Sequence, residues 1–161
     1  MWTRNKVCLL SVMLAAGVLA AANAQEKPGG DGMQSFREQL KAGKKQVVAD
    51  YMKLSEAEAR AFWPVYDAYD KELDKLNARL YKVIETYAGY YNTNTLTDEN
   101  AQAMTDEALA IEAAEVELKR GYVTKVRAVL PGIKVARFLQ IENKVRAVVR
   151  FEIAAYVPVA P

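Results

Sequence analysis

The middle of the chain carries an apolar seam that constrains the fold more than any other feature. Large apolar or aromatic side chains recur there at alternating steps of four and three positions: Phe62, Tyr66, Tyr69, Leu73, Leu76, Leu80, Val83, Tyr87 and Tyr90. This period places them on one face of an α-helix of coiled-coil type. The seam therefore predicts a long helix that buries one face against another helix.

Two capping patterns mark where helices begin. Ser55 is followed three positions later by Glu58, a capping box that predicts the start of the long helix. The polar stretch 92–97 breaks the seam, and Thr97 precedes two acidic residues that suit the positive end of a helix. A hairpin turn is expected there, followed by a third helix over about 98–129.

The third helix carries two apolar stripes. One contains Met104, Ala108, Ile111, Leu118 and Tyr122. The neighbouring one contains Leu109, Ala113, Val116, Val123 and Leu130. Two stripes predict two neighbours for this helix.

Shorter helices are expected on either side of the hairpin. Apolar residues near helical spacing predict a first helix over about 34–51, weakened by Gly43. Pro131 suits the first turn of a fourth, very apolar helix over about 132–155. The predicted fold is all-α: a long antiparallel helical hairpin with shorter N-terminal and C-terminal helices, four in all, cradle-like or bundle-like, in one domain over 33–157.

The N-terminus has the features of a secretory signal peptide. Arg4 and Lys6 precede an apolar run over 7–22, and the small-residue sequence Ala22-Asn23-Ala24 suits cleavage before Gln25. We therefore expect a signal peptide over 1–24, a disordered Gly-rich tail over 25–32 and a periplasmic product.

Charge is balanced overall and segregated along the chain. After the signal peptide, 20 basic and 20 acidic side chains remain. Residues 55–118 contain 14 acidic and 5 basic side chains, whereas residues 119–150 contain 9 basic ones and Glu142 as their single acid. Nucleic acid is a poor partner for an exported, neutral chain, and we expect none.

The residue inventory argues against catalysis. The chain has no histidine, and its single cysteine, Cys8, lies in the signal peptide. Imidazole and thiol chemistry and the usual zinc or copper ligand sets are therefore missing. We expect no enzymatic activity, no cofactor and no metal.

Carboxylates are the remaining candidates for a site. They lie at helical spacing on the second and third helices: Asp67, Asp70, Asp74, Glu112 and Glu115. Such pairs can bind calcium or serve a hydrolase. The favoured interpretation is a solvated acidic flank, with pairs between Asp67 and Lys71 and between Glu115 and Lys119.

A basic surface is the predicted contact site. It comprises cations of the first and fourth helices, with one tyrosine near the hairpin tip: Arg37, Lys41, Lys44, Lys45, Lys134, Arg137, Lys144, Arg146 and Tyr91. The fourth helix has almost no acid of its own, so its cations are expected to lack acidic partners. The helix is interpreted as a solvated core helix, as a face for client polypeptides or, less favourably, as a membrane-surface helix.

The layout resembles the Spy/CpxP group of periplasmic proteins. Leu54-Ser55-Glu56-Ala57-Glu58 opens the long helix where that group carries an LTxxQ motif, with Ser55 and Glu58 in place of Thr and Gln. Leu130-Pro131 opens the last helix and keeps only the leucine. The resemblance implies a cradle-like helical hairpin, often dimeric, that acts as an ATP-independent chaperone or inhibits an envelope-stress sensor.

The favoured function is a chaperone that binds unfolded or stress-exposed envelope polypeptides through the basic surface. Two alternatives remain. The protein can be a signalling inhibitor that docks on the sensor domain of a kinase. It can also be a structural module whose acidic end pairs with the basic end of a second copy, as a homodimer or a longer assembly.

Overall fold

The computed structural model describes residues 43–161 together with Gln39, and in that part of the chain all regular structure is α-helical. The four helices are α1 (Lys44–Met52), α2 (Glu56–Thr93), α3 (Asp98–Arg127) and α4 (Gly132–Tyr156). The predicted all-α hairpin fold is confirmed. The signal peptide, the 25–32 tail and most of the first half of the expected first helix lie outside the described residues.

The predicted helix starts have the local geometry that their residues favour. Ser55 accepts a hydrogen bond from the backbone N–H of Glu58, and the Ser55 N–H donates to the Glu58 carboxylate at 2.8 Å, which completes the capping box. Thr97 accepts from the Asn100 N–H at 3.2 Å and caps α3. Asn94 adopts φ 54°, a left-handed conformation that ends α2.

The predicted first helix is interrupted at Gly43. Gly43 adopts φ 155°, a conformation that side chains other than glycine avoid, and α1 begins at Lys44. The expected helix over 34–51 is therefore not continuous, because Gly43 interrupts it rather than merely weakening it.

The helices alternate in direction. The ion pair between Arg79 and Glu107 joins the antiparallel α2 and α3. Arg146 and Arg150 of α4 pair with Glu115 and Glu112 of α3, so positions that rise along α4 fall along α3. Helix α4 therefore runs parallel to α2.

Helix α1 runs antiparallel to α4 and lies over only part of it. Its first residue, Lys44, reaches Glu142, whereas the carbonyl of its last residue, Met52, accepts from Arg137 at 3.2 Å. α1 thus lies over the first part of α4, from Arg137 to Glu142. Lys44, the first residue of α1, marks the limit of this contact in the described part of the chain.

The hydrophobic core lies under α1. Phe62, Tyr66 and Tyr69 of α2 surround Phe138 of α4, with ring centroids 5.4–6.3 Å from it. All four rings are buried, and burial stabilises a side chain of this kind by about 1.5–3 kcal/mol relative to an exposed one. These rings fill the space between α2 and α4 here, and the cavity described next lies beyond them. None of the helices in the described residues is long and apolar enough to cross a membrane.

Candidate functional site

A cavity of about 600 Å³ lies between α2 and α4 and begins beside Lys44, the first residue of α1. Its walls are apolar side chains at spacings of four and seven on the two helices: Leu73, Leu80, Ile84, Val145, Val149 and Ile153. These spacings keep the side chains on the facing sides of parallel helices. Asn77 and Ala78 also line the cavity and are solvent-exposed, so it opens on their side.

Beyond the residues that line the cavity, Tyr87 joins α2 to the segment after α4. The Tyr87 hydroxyl donates to the carbonyl oxygen of Pro158 at 3.0 Å, which fastens the segment after α4 to α2. Tyr91 packs on Tyr87 with ring centroids 5.8 Å apart. Burial, followed by the influence of Tyr91, raises the pKa of Tyr87, so its hydroxyl remains a hydrogen-bond donor at neutral pH.

The near end of the cavity is closed by a buried carboxylate. Glu142 is 2% exposed and accepts hydrogen bonds from the hydroxyls of Tyr69 at 3.0 Å and Tyr66 at 3.3 Å. The Lys44 ammonium lies 3.2 Å from the same carboxylate and 2.7 Å from Asp70. Since a buried charge without partners is costly, these three donors explain how Glu142 is accommodated.

A second buried carboxylate lies beside the first. Glu115 is 5% exposed and pairs with the ammonium of Lys119 at 2.7 Å and with Nε of Arg146 at 2.9 Å. The guanidinium of Arg146 also donates to the side-chain oxygen of Asn77 at 3.2 Å. Burial raises the pKa of Glu115, but the hydrogen bond from Lys119 and the charge of Arg146 outweigh it, and the net pKa is lowered.

The two tyrosines of this network remain protonated. Burial, followed by the negative charge of Glu142, raises the pKa of both Tyr66 and Tyr69. Their hydroxyls therefore act as donors to Glu142 and not as bases. The polar end of the cavity has its strong charges paired internally, and what it offers an incoming molecule is chiefly apolar contact.

The predicted basic surface does not form one open face. Arg37 and Lys41 lie outside the described residues. Lys44 and Arg146 line the cavity in the ion pairs described above. Lys134 lies 2.6 Å from the Glu58 carboxylate and donates to the Lys53 carbonyl at 2.8 Å.

The other predicted contact residues do not share one site either. Lys45 is exposed and pairs with Asp67, and Lys144 lies 5.8 Å from the ring centroid of Tyr51. Arg137 donates to the α1 terminus, and Tyr91 is half-buried against Tyr87. The contact role of these residues stays a prediction.

The expectation that α4 cations lack acidic partners is wrong. Glu58, Glu112 and Glu115, which belong to other helices, each pair with a cation of α4. The number of acidic residues within α4 could not show this, because the partners lie 31–76 positions away in the sequence.

The solvated acidic flank is also corrected in part. Glu115 is buried, and Asp67 pairs with Lys45 rather than with Lys71. The predicted pair between Glu115 and Lys119 is confirmed. Within the described residues, no group of three or more acidic, histidine or cysteine side chains is placed to hold a metal ion.

Sequence reasoning missed the buried role of Glu142, although a signal was present. Glu142 is four positions after Phe138 and three before Val145, both buried, so it occupies the apolar face of α4. An acid in that position needs partners. No pattern in the sequence predicted the cavity itself.

Comparisons with protein-family models, curated proteins and solved structures find no match to this chain. The resemblance to the Spy/CpxP group therefore stays a prediction.

Proposed function

We propose that this protein holds apolar segments of unfolded or stress-exposed polypeptides, without ATP, in the cavity between α2 and α4. The cavity carries the proposal, since it joins a volume of about 600 Å³ to apolar walls and an exposed edge at Asn77 and Ala78. Exposed apolar surface of this kind is a common feature of interaction sites.

The chemistry of the cavity favours a polypeptide over a specific small molecule. Sites for one small molecule combine apolar walls with a few polar groups that orient the ligand. Here Glu142, Lys44, Glu115 and Arg146 are already engaged with one another. Recognition then depends on apolar contact, which many different unfolded segments can supply.

The expected strength of binding is compatible with release without ATP. Each apolar side chain that enters the cavity gains about 1.5–3 kcal/mol from burial. Association itself costs several kcal/mol in lost freedom of motion, so a segment that inserts a few side chains is held only weakly. A client can therefore dissociate and fold.

The test is light scattering from an aggregating, chemically unfolded client with purified chain starting at Gln25, without ATP. Two variants are compared with the unmodified chain. Ala78→Trp places a large side chain at the cavity edge, and Ala68→Trp places the same side chain on an exposed position of α2 that does not line the cavity. We expect suppression of aggregation by the unmodified chain and by A68W, and a clear loss with A78W.

Circular dichroism on each variant shows whether the helices remain intact. Equal suppression by A78W and A68W, with unchanged helicity, would rule out the cavity as the client site. Absence of suppression by the unmodified chain would rule out the holding function itself.

A further inference from the structure

Helix α1 shows which kind of segment fits beside α2 and α4. Its buried side chains are apolar: Val47, Val48 and Met52. Its first two lysines lie at the edge of α2. Lys45 pairs with Asp67, and Lys44 pairs with Asp70 at 2.7 Å. α1 is therefore an amphipathic segment held by apolar contact on its inner face and by lysine–aspartate pairs at its edge.

The cavity lies on the line of α1, beyond Lys44. Lys44 is the first residue of α1 and also lines the cavity. A segment placed on this line would pass the α4 wall from Val145 to Ile153, a distance of about 12 Å at the helical rise per residue. The cavity therefore has room for about two helical turns of a segment that lies as α1 lies.

The exposed edge of the cavity on α2 is acidic. Asp74 lies four positions after Asp70 and four before Ala78. Glu85 lies four positions after Tyr81. Ala78 and Tyr81 line the cavity, and positions four apart are neighbours on a helix. Both acids are exposed, and neither takes part in an ion pair within the described residues, so they continue along the cavity the row of acids that holds the lysines of α1.

The lysines of this part of α2 lie farther from the cavity. Lys71 precedes Asp74 by three positions, and this spacing places it about 60° farther around the helix from the cavity side. Lys82 stands in the same relation to Glu85. Lys75 already pairs with an acid of its own helix. The charges next to the exposed edge on α2 are therefore negative.

The apolar walls favour a helix as the occupant. A polypeptide brings a backbone N–H and a C=O with nearly every residue, and burying these groups without partners is costly. Walls such as Leu80 and Val149 offer them no hydrogen bond. A helix satisfies these groups internally and presents apolar side chains three and four positions apart to the walls.

We propose that the cavity binds basic amphipathic helices, which lie antiparallel to α4 as α1 does. Their apolar side chains contact the cavity walls, and a lysine or arginine lies beside Asp74 and Glu85. This proposal rests on the function proposed above and names the class of client segment that the same site binds. The occupant is basic because the acids at the edge are complementary to it in charge, as they are to the lysines of α1.

Two peptides of about four helical turns test the charge class. They share leucines at the same helical positions and differ only in the edge residues, which are lysines in one peptide and glutamates in the other. Fluorescence anisotropy of a labelled peptide measures its affinity for the chain starting at Gln25. At low salt we expect the lysine peptide to bind about tenfold more tightly, with a smaller ratio at high salt. Equal affinities would overturn the basic class.

Charge reversal of one edge acid tests the location of binding. Asp74→Lys should lower the affinity for the lysine peptide about fivefold and raise the affinity for the glutamate peptide. Asp106→Lys makes the same change of charge on an exposed position of α3 that does not line the cavity, and it should change either affinity by no more than about twofold. Similar effects of the two variants would mean that overall charge alone attracts the peptide, which contradicts the proposal.

A third peptide tests the helical form of the occupant. It is the lysine peptide with a proline at one central polar position, which interrupts the helix and keeps every leucine. We expect it to bind about tenfold more weakly than the lysine peptide. Equal binding of the two would show that the occupant is not a helix.

Failure of this proposal is distinguishable from failure of the proposed function. If the lysine and glutamate peptides bind equally and Ala78→Trp abolishes both, the basic class is wrong and the cavity remains the client site. If the lysine peptide binds selectively and the unmodified chain does not suppress aggregation, the holding function is wrong and the peptide site remains. If Ala78→Trp leaves binding of the lysine peptide unchanged while the helices are intact, the peptide does not occupy the cavity and this proposal is wrong.

Discussion

The first half of α2 and its second half carry the same apolar seam, yet the two halves are covered differently. Phe62, Tyr66, Tyr69 and Leu73 are buried. The later members of the seam are only half-buried: Leu76, Leu80, Val83, Tyr87 and Tyr90. The first half packs against α1 as well as α3 and α4, whereas the second half packs against α3 and faces the cavity. The spacing of a seam thus predicts which face is apolar, and the number of neighbouring helices decides how deeply it is buried.

The largest expected difference between the two halves is in how much one large apolar side chain contributes to the free energy of unfolding. Phe138→Ala removes the ring that Phe62, Tyr66 and Tyr69 surround, and it should lower the free energy of unfolding by about 3–5 kcal/mol. Leu80→Ala, at the half-buried cavity wall, should cost only about 1 kcal/mol, because much of its surface is not packed. Urea unfolding measures both. Similar losses for the two variants would contradict the division of α2 into a packed and an open half.

A smaller effect is expected from the buried charge network that separates the halves. Glu142→Gln removes the charge opposite Lys44 and weakens the acceptor for two tyrosine hydroxyls. It should lower the free energy of unfolding by about 1–3 kcal/mol, since buried donors then lack a full partner. Glu85→Gln, on an exposed position in the second half, should stay within about 0.5 kcal/mol of the unmodified chain. Urea unfolding of the two variants side by side checks this, and a neutral Glu142→Gln would show that the network does not stabilise the packed half.

The smallest effect is a pH dependence at the start of α2. The hydrogen bond from Lys134, followed by that from the Ser55 backbone, lowers the pKa of Glu58 from 4.5 to about 2. Because the folded-state pKa lies below the unfolded one, the stability from this carboxylate is present above pH 4.5 and is lost as the pH falls to about 2. Glu58→Gln keeps a capping residue and removes only the charge.

The thermal midpoints of the unmodified chain and of Glu58→Gln should therefore differ slightly at neutral pH and converge as the pH falls through that window. A constant difference across the window would show that the charge of Glu58 is not what stabilises this end of α2.

Local patterns were enough to predict most of the helical framework. The capping box at Ser55, the N-cap at Thr97, the break before Thr97 and the proline at 131 each depend on neighbours within a few positions, and the structure has helix boundaries at all of them. Gly43 was recognised as a weak point, but whether it bends, weakens or ends a helix depends on its φ angle, which packing selects.

The site was less accessible to sequence reasoning. Its charged residues were assigned to a free basic surface, and five of them, Lys44, Lys45, Lys134, Arg137 and Arg146, instead pair with carboxylates or carbonyls that are distant in the sequence. Pairing across 22–98 positions follows from how the helices cross, and the periodicity along one helix carries no information about it.

By itself the sequence determined the all-α class, the long hairpin and the apolar face of each described helix, because capping and hydrophobic spacing act over one or two helical turns. Only the tertiary structure decided that Glu142 and Glu115 are buried with partners and that, among the residues that the structure describes, a cavity lies between α2 and α4 beyond Lys44. These features depend on the distances between helices, which large side chains such as Phe138 set through packing rather than through any local pattern.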